Sequence, residues 1–121
     1  MKTSELIGPA LDWAVAKCEW VGQPARPYFI NSSIQITNWI PGKIFSPSTD
    51  WSQGGPIIER EGLYLKARND AKEWKAGALS MNRHDNKPGP LYSGPTPLIA
   101  AMRCYVAGKL GDEIEIPEEL K

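Results

Sequence analysis

Thr96-Pro97-Leu98-Ile99-Ala100-Ala101-Met102-Arg103-Cys104-Tyr105-Val106-Ala107-Gly108-Lys109-Leu110-Gly111 reads as one helix from cap to stop. Thr96 supplies an N-cap oxygen, and Pro97 takes the first helical position, where a missing N–H costs nothing. Lys109 suits the negative end of the helix dipole and Gly111 ends the run. Leu98, Ile99, Met102, Tyr105 and Val106 form a wide apolar face, and Ala100, Ala101 and Ala107 permit close packing. A helix this apolar is expected to be covered by a sheet or by a partner subunit. Arg103 is the exception, because a guanidinium demands solvent, a carboxylate or a ligand.

Toward the N-terminus a second helix starts at Gly8-Pro9, with Leu11, Ala14, Val15 and Cys18 as its apolar stripe. Asp12, Lys17 and Glu19 fall off that stripe. Gln23-Pro24-Ala25-Arg26-Pro27 forbids continuation, so this helix ends by about Gly22. Trp13 and Trp20 share a face of it. Between the helices, Tyr28–Ile30 and the alternating Ser33–Trp39 read as strands. Ile57–Glu61 and Leu63–Ala67 read as two more, separated by a bulge or bend at Gly62. Glu73–Ala76 is a further short strand, Gly77–Gly94 a long loop, and Asp112–Pro117 an exposed edge strand ending at its proline. The expected architecture is α+β: a small, mostly antiparallel sheet covered by an N-terminal and a C-terminal helix.

Composition narrows the function classes. A chain of 121 residues is expected to form a single domain over 1–121. Fourteen Lys+Arg against fourteen Asp+Glu give no net charge, whereas a dedicated nucleic-acid binder usually carries a basic excess. No apolar run is long enough to span a membrane, and the first residues lack the apolar core of a secretory signal. Cys18 and Cys104 fall on the apolar sides of helices and read as reduced, buried thiols, pointing to a cytosol. His84, the single histidine, has only its neighbour Asp85 for company, so it reads as a solvated loop residue. Metal-ligand spacing is lacking, and neither a metal nor a cofactor is expected. Nucleophile motifs are lacking too, so the expected protein is not an enzyme.

The segment Pro47-Ser48-Thr49-Asp50-Trp51-Ser52-Gln53-Gly54-Gly55-Pro56-Ile57-Ile58-Glu59-Arg60-Glu61-Gly62 has no helical period and reads as a recognition turn leading into a strand. Trp51 either folds back on the core or offers a plate for a flat ring, with Thr49 and Asp50 beside it. Gly54-Gly55 is either a plain turn or a source of backbone N–H groups for an anionic oxygen. A nucleotide suits the set: its base on Trp51 or Trp74, its phosphate on Arg103 and Gly54-Gly55, its ribose on Asp50 or Glu59.

Three segments resemble one family. They are Met1–Leu6 with Leu11–Glu19, Ser46–Glu59, and Gly94–Val106, and they are similar to the phage NinX family of small tailed-phage proteins. The resemblance spans nearly the whole chain and departs from it around Gly8-Pro9 and Asn82–Asp85. It implies an accessory protein acting in the host bacterial cytoplasm, and says little about mechanism. By analogy with oligomeric phage proteins that sequester nucleotide immune signals, the expected role is binding a nucleotide-type molecule without chemistry, as a homo-oligomer. One alternative is a DNA- or protein-binding factor in phage recombination or replication, using Lys66, Arg68, Lys72 and Lys75. Asp70 and Glu73 among these favour a merely solvated face. A second alternative is a small nucleotide hydrolase with Asp50 or Glu59 as base.

Overall fold

The structure, a computed structural model, describes residues 2–19, 27–30, 33–36, 45–68, 72–78 and 91–116. A 3-10 turn, Thr3–Glu5, leads into α1, Gly8–Glu19. Strands β1 (Pro27–Ile30) and β2 (Ser33–Ile36) pair as an antiparallel hairpin. Helix α2 (Trp51–Glu61) precedes β3 (Leu63–Arg68), β4 (Glu73–Ala78) and β5 (Tyr92–Gly94), and α3 spans Pro97–Leu110. The last three strands form one antiparallel sheet in the order β3-β4-β5. The class is α+β, as the sequence led us to expect.

Helix α3 is the centre of the fold. Thr96 caps it, its hydroxyl accepting the Ile99 N–H at 3.1 Å, and the Gly111 N–H closes it onto the Ala107 carbonyl. Leu98, Ile99, Met102, Tyr105 and Val106 are all buried, each large apolar side chain contributing about 1.5–3 kcal/mol. All three strands of the larger sheet pack on α3, as do α1, α2 and the N-terminal turn. Its apolar surface is therefore covered within the chain, and it offers no evidence for a partner subunit. Thr3 is buried at its far end, where its hydroxyl donates to the Gly111 carbonyl at 2.7 Å.

One cluster ties the three helices together. The Glu19 carboxylate of α1 accepts from Arg60 of α2 at 2.7 Å and from the Tyr105 hydroxyl of α3 at 2.6 Å. Burial, and then this bond to Glu19, push the Tyr105 phenol well above its usual range, so it stays a donor.

Four expectations need correction. Ile57–Glu61 is the second half of α2, not a strand. Asp50 caps that helix through its carboxylate, which accepts the Ser52 N–H at 2.9 Å. Gly62 is not a bulge or bend between strands but the left-handed C-cap of α2, at φ 66°. Asp112–Pro117 forms no strand over its described residues; Glu113 makes a single bridge to Lys2. Gly77 and Ala78 belong to β4 and Tyr92–Gly94 to β5, so the supposed loop is ordered sheet at both ends. Its middle, His84 included, lies outside the described residues, as do Trp20, Thr37–Trp39, Pro117 and the Gln23–Arg26 stop.

Gly54 explains why α2 forms despite Gly-Gly-Pro. A Cβ there would stand 2.5 Å from the Pro47 carbonyl oxygen and 2.6 Å from Leu98 Cδ2, so only glycine lets α2 close on α3. At Gly55 a Cβ would meet nothing nearer than Trp51 Cε3, at 4.0 Å. The two glycines therefore predict opposite signs. Gly55→Ala should stabilise by up to about 1 kcal/mol through helix propensity. Gly54→Ala should lose about 1–3 kcal/mol to overpacking. Urea denaturation of both variants checks the pair.

Candidate functional site

The starts of α2 and α3 face a common depression. Ser48, Thr49 and Trp51 from the α2 side, and Thr96, Pro97, Leu98 and Ile99 from the α3 side, line a cavity of about 210 Å³. The Gly54–Leu98 approach brings these two helix ends together. Trp51 occupies the first position of α2 and is 54% exposed, which is unusual for an indole with so much apolar surface to bury. Both helices direct their positive dipole ends toward this region.

Behind the cavity, Asp12 of α1 is buried, 5% exposed, and its Oδ1 accepts the Ser48 N–H at 2.8 Å. Burial pushes its carboxyl up to about 6, while the neighbouring Ser48 hydroxyl and N–H pull it back only in part. The helical stripe misled here, since Asp12 lies inward. Ser48 itself is 1% exposed. Its hydroxyl acts on the Asp12 carboxyl in the same sense as the N–H, favouring the charged form. The hydroxyl oxygen has no hydrogen-bond partner. A buried hydroxyl without a partner costs about 1–3 kcal/mol, so it marks a place where something polar is wanted.

The residues expected to bind a ligand do not all meet. Thr49 and Trp51 line the cavity. Asp50 stands next to it but is occupied as a cap, holding the Ser52 N–H and hydroxyl and the Gln53 side-chain amide. Gly54 and Gly55 lie inside α2, and the Gly54 N–H donates to the Asp50 carbonyl at 2.9 Å, so the supposed anion-binding turn is a helix. Glu59 is exposed in the last turn of α2, away from its N-terminal end. Trp74 lies in β4, half-buried against the core. Arg103 is occupied structurally: its Nε donates to the Leu6 carbonyl at 2.7 Å and its Nη1 to the Ser93 carbonyl at 2.8 Å. The proposed pocket of indole, di-glycine turn and guanidinium is thus not assembled. Ser48, Thr96 and the Pro97–Ile99 wall replace most of it.

Neither cysteine is equipped as a nucleophile. Both are free, and burial pushes the Cys18 thiol up to about 12 and the Cys104 thiol up to about 11. Among the described residues no group of three or more His, Cys, Asp or Glu side chains is placed to hold a metal ion. No described helix is long and apolar enough to cross a membrane.

What fold and site define is a small α+β protein with an aromatic-rimmed cavity between two helix starts. The chain belongs to the bacteriophage P22 NinX family, whose model matches residues 2–109. No curated protein matches it. Two of the three segments that carried the resemblance, Ser46–Glu59 and Gly94–Val106, are those that meet at the cavity.

Asp12 gives the site a pH signature. Its folded pKa of about 6 stands above the ordinary 3.8, so between these values the folded state binds more protons than the unfolded chain. Its contribution is full below pH 3.8 and is lost as pH rises through about 6. Wild type should therefore lose on the order of 1.4 kcal/mol from this group between about pH 5 and pH 8. Asp12→Asn keeps an acceptor for Ser48 and should remove that share of the slope. Urea titrations of both proteins at the two pH values measure it.

Proposed function

We propose that this NinX-family phage protein holds a nucleotide-type small molecule at the Trp51 cavity and releases it chemically unchanged. One observation carries this reading: an exposed indole rims a cavity that Ser48 helps to line, and the Ser48 hydroxyl is buried without a hydrogen-bond partner. A flat ring stacks on Trp51, against the apolar surface of Pro97, Leu98 and Ile99. The Ser48 hydroxyl donates to or accepts from the ring edge. Anionic groups lie toward the two helix starts, where the dipoles favour negative charge.

At about 210 Å³ the cavity is smaller than the roughly 300–1,000 Å³ of most ligand pockets. It therefore takes the base and leaves sugar and phosphate on the open side. Phosphate recognition does not use Arg103 or Gly54-Gly55, whose groups are committed within the fold. A role in sequestering a host nucleotide signal fits a protein that grips this way and offers no activated nucleophile at the site. The host cytoplasm is where such a signal is met.

Calorimetry with cyclic dinucleotides and cyclic ADP-ribose isomers tests the proposal. Binding heat is expected for at least one of these, with the ligand recovered intact after denaturing the protein. No heat from any of them defeats it. Trp51→Ala should weaken binding by about 1–3 kcal/mol, the range for base–aromatic stacking. Ser48→Ala separates a ligand contact from a structural one. Without ligand it should leave stability unchanged or raise it by about 1 kcal/mol, because an unsatisfied group is removed. With ligand it should weaken binding. Loss of stability without loss of affinity would assign the hydroxyl to the fold alone.

A further inference from the structure

The larger sheet has a second face, and it has a different chemistry. In the β3–β4 ladder Leu65 pairs with Ala76 and Ala67 with Trp74; Leu63, Leu65, Trp74 and Ala76 pack on the core on the side that α3 covers, and the exposed Ala67 shares that side by alternation. Tyr64, Lys66 and Arg68 alternate onto the other side, opposite Gly77, Lys75 and Glu73 respectively. Lys66 and Lys75 stand directly across from one another, a like-charge pairing that costs stability in an antiparallel sheet. Lys75 is joined to Glu73 at 3.5 Å, but Lys66 and Arg68 are exposed and make no ion pair among the described residues.

The hydroxyl end of the Tyr64 ring rests against Gly77. A Cβ on that glycine would stand 2.7 Å from Tyr64 Cζ, so the strand opposite is bare where the ring rests on it. One aromatic plate with three cations and one carboxylate on an antiparallel sheet is a stacking surface with a positive rim.

We infer that this sheet face binds single-stranded nucleic acid, with a base stacked on Tyr64 and phosphates held by Lys66, Arg68 and Lys75. The chain's zero net charge does not oppose this, since this face alone carries three cations against one carboxylate. A single strand is favoured over a duplex because the flat ring needs an unpaired base to stack on. The surface is separate from the Trp51 cavity.

Fluorescence anisotropy with labelled oligothymidylate and oligouridylate of about 15 nucleotides, within the span such surfaces cover, tests it. Binding that weakens as salt is raised is expected for at least one of them, and the tighter of the two identifies DNA or RNA as the source. Lys66→Glu with Arg68→Glu, both exposed, should fold as wild type and raise Kd at least about tenfold, with a shallower salt dependence. Tyr64→Leu, which still covers Gly77, should also weaken binding about tenfold. Trp51→Ala should bind the oligonucleotide as wild type does. The inference is overturned by no salt-dependent binding, by an unchanged Kd in the charge-reversed variant, by equal affinity for duplex of the same length, or by loss of binding in Trp51→Ala.

Discussion

Helix α3 is apolar around most of its circumference, so it cannot exist in water unless every side is covered. Nine of its residues are buried. The covering elements must approach closely, and two glycines make this possible. A Cβ on Gly94 would stand 2.7 Å from the Ala100 nitrogen, so β5 lies directly on the first turn of α3. Gly54 does the same for α2. Having to cover the start of α3 brings the start of α2 beside it, and that meeting creates the cavity. The site is thus a consequence of how the core is closed, built where two covering elements reach the same helix end from different directions.

Where local chemistry and tertiary demand agreed, the sequence was readable. Thr96-Pro97 and Gly111 marked α3 because cap, first-turn proline and stop all act within a few residues. β1, β2, β3 and the first part of β4 were legible as short β-rich runs between turn residues, whereas β5 lay hidden in a stretch whose glycines and prolines read as loop. Pro47–Gly62 was misread because its local preferences oppose its fate. Gly54, Gly55 and Pro56 together disfavour a helix by several kcal/mol, on the order of 1 for each glycine and about 3 for proline. Ile57 and Ile58 are good strand residues. The overlooked signal was Asp50-x-x-Gln53, a capping-box spacing in which the Gln53 amide donates to the Asp50 carboxylate at 3.0 Å. What outweighed propensity was non-local: the missing side chain at Gly54 is needed only once Leu98 arrives.

The candidate site shows the same division. Trp51 and Thr49 were legible as surface residues because composition alone marks an indole in a polar stretch. Arg103 was legible as needing a partner, yet no sequence pattern could show that its partners are the Leu6 and Ser93 carbonyls. Ser48 was hidden altogether. Its significance depends on Asp12, 36 residues earlier, taking its N–H while its hydroxyl is left unpartnered. Asp12 was misplaced for a related reason: a carboxylate beside an apolar stripe is normally solvated, and only the loop that packs on it reverses that.

Asp12 also bears on what the cavity is for. A carboxyl raised to about 6 is a buried group that opposes folding whenever it is charged, and an apolar residue would avoid that cost. What the carboxylate supplies in return is a fixed acceptor that anchors the Ser48 backbone. Anchoring the backbone fixes the direction of the side chain, and the hydroxyl is then held buried with its hydrogen-bonding capacity unused. Two unfavourable features stand next to each other, one causing the geometry of the other. Packing alone gives no reason for the pair, since either could be replaced by an apolar residue of similar size at lower cost. On the proposed reading, a polar group entering from the cavity would satisfy the hydroxyl and so account for both.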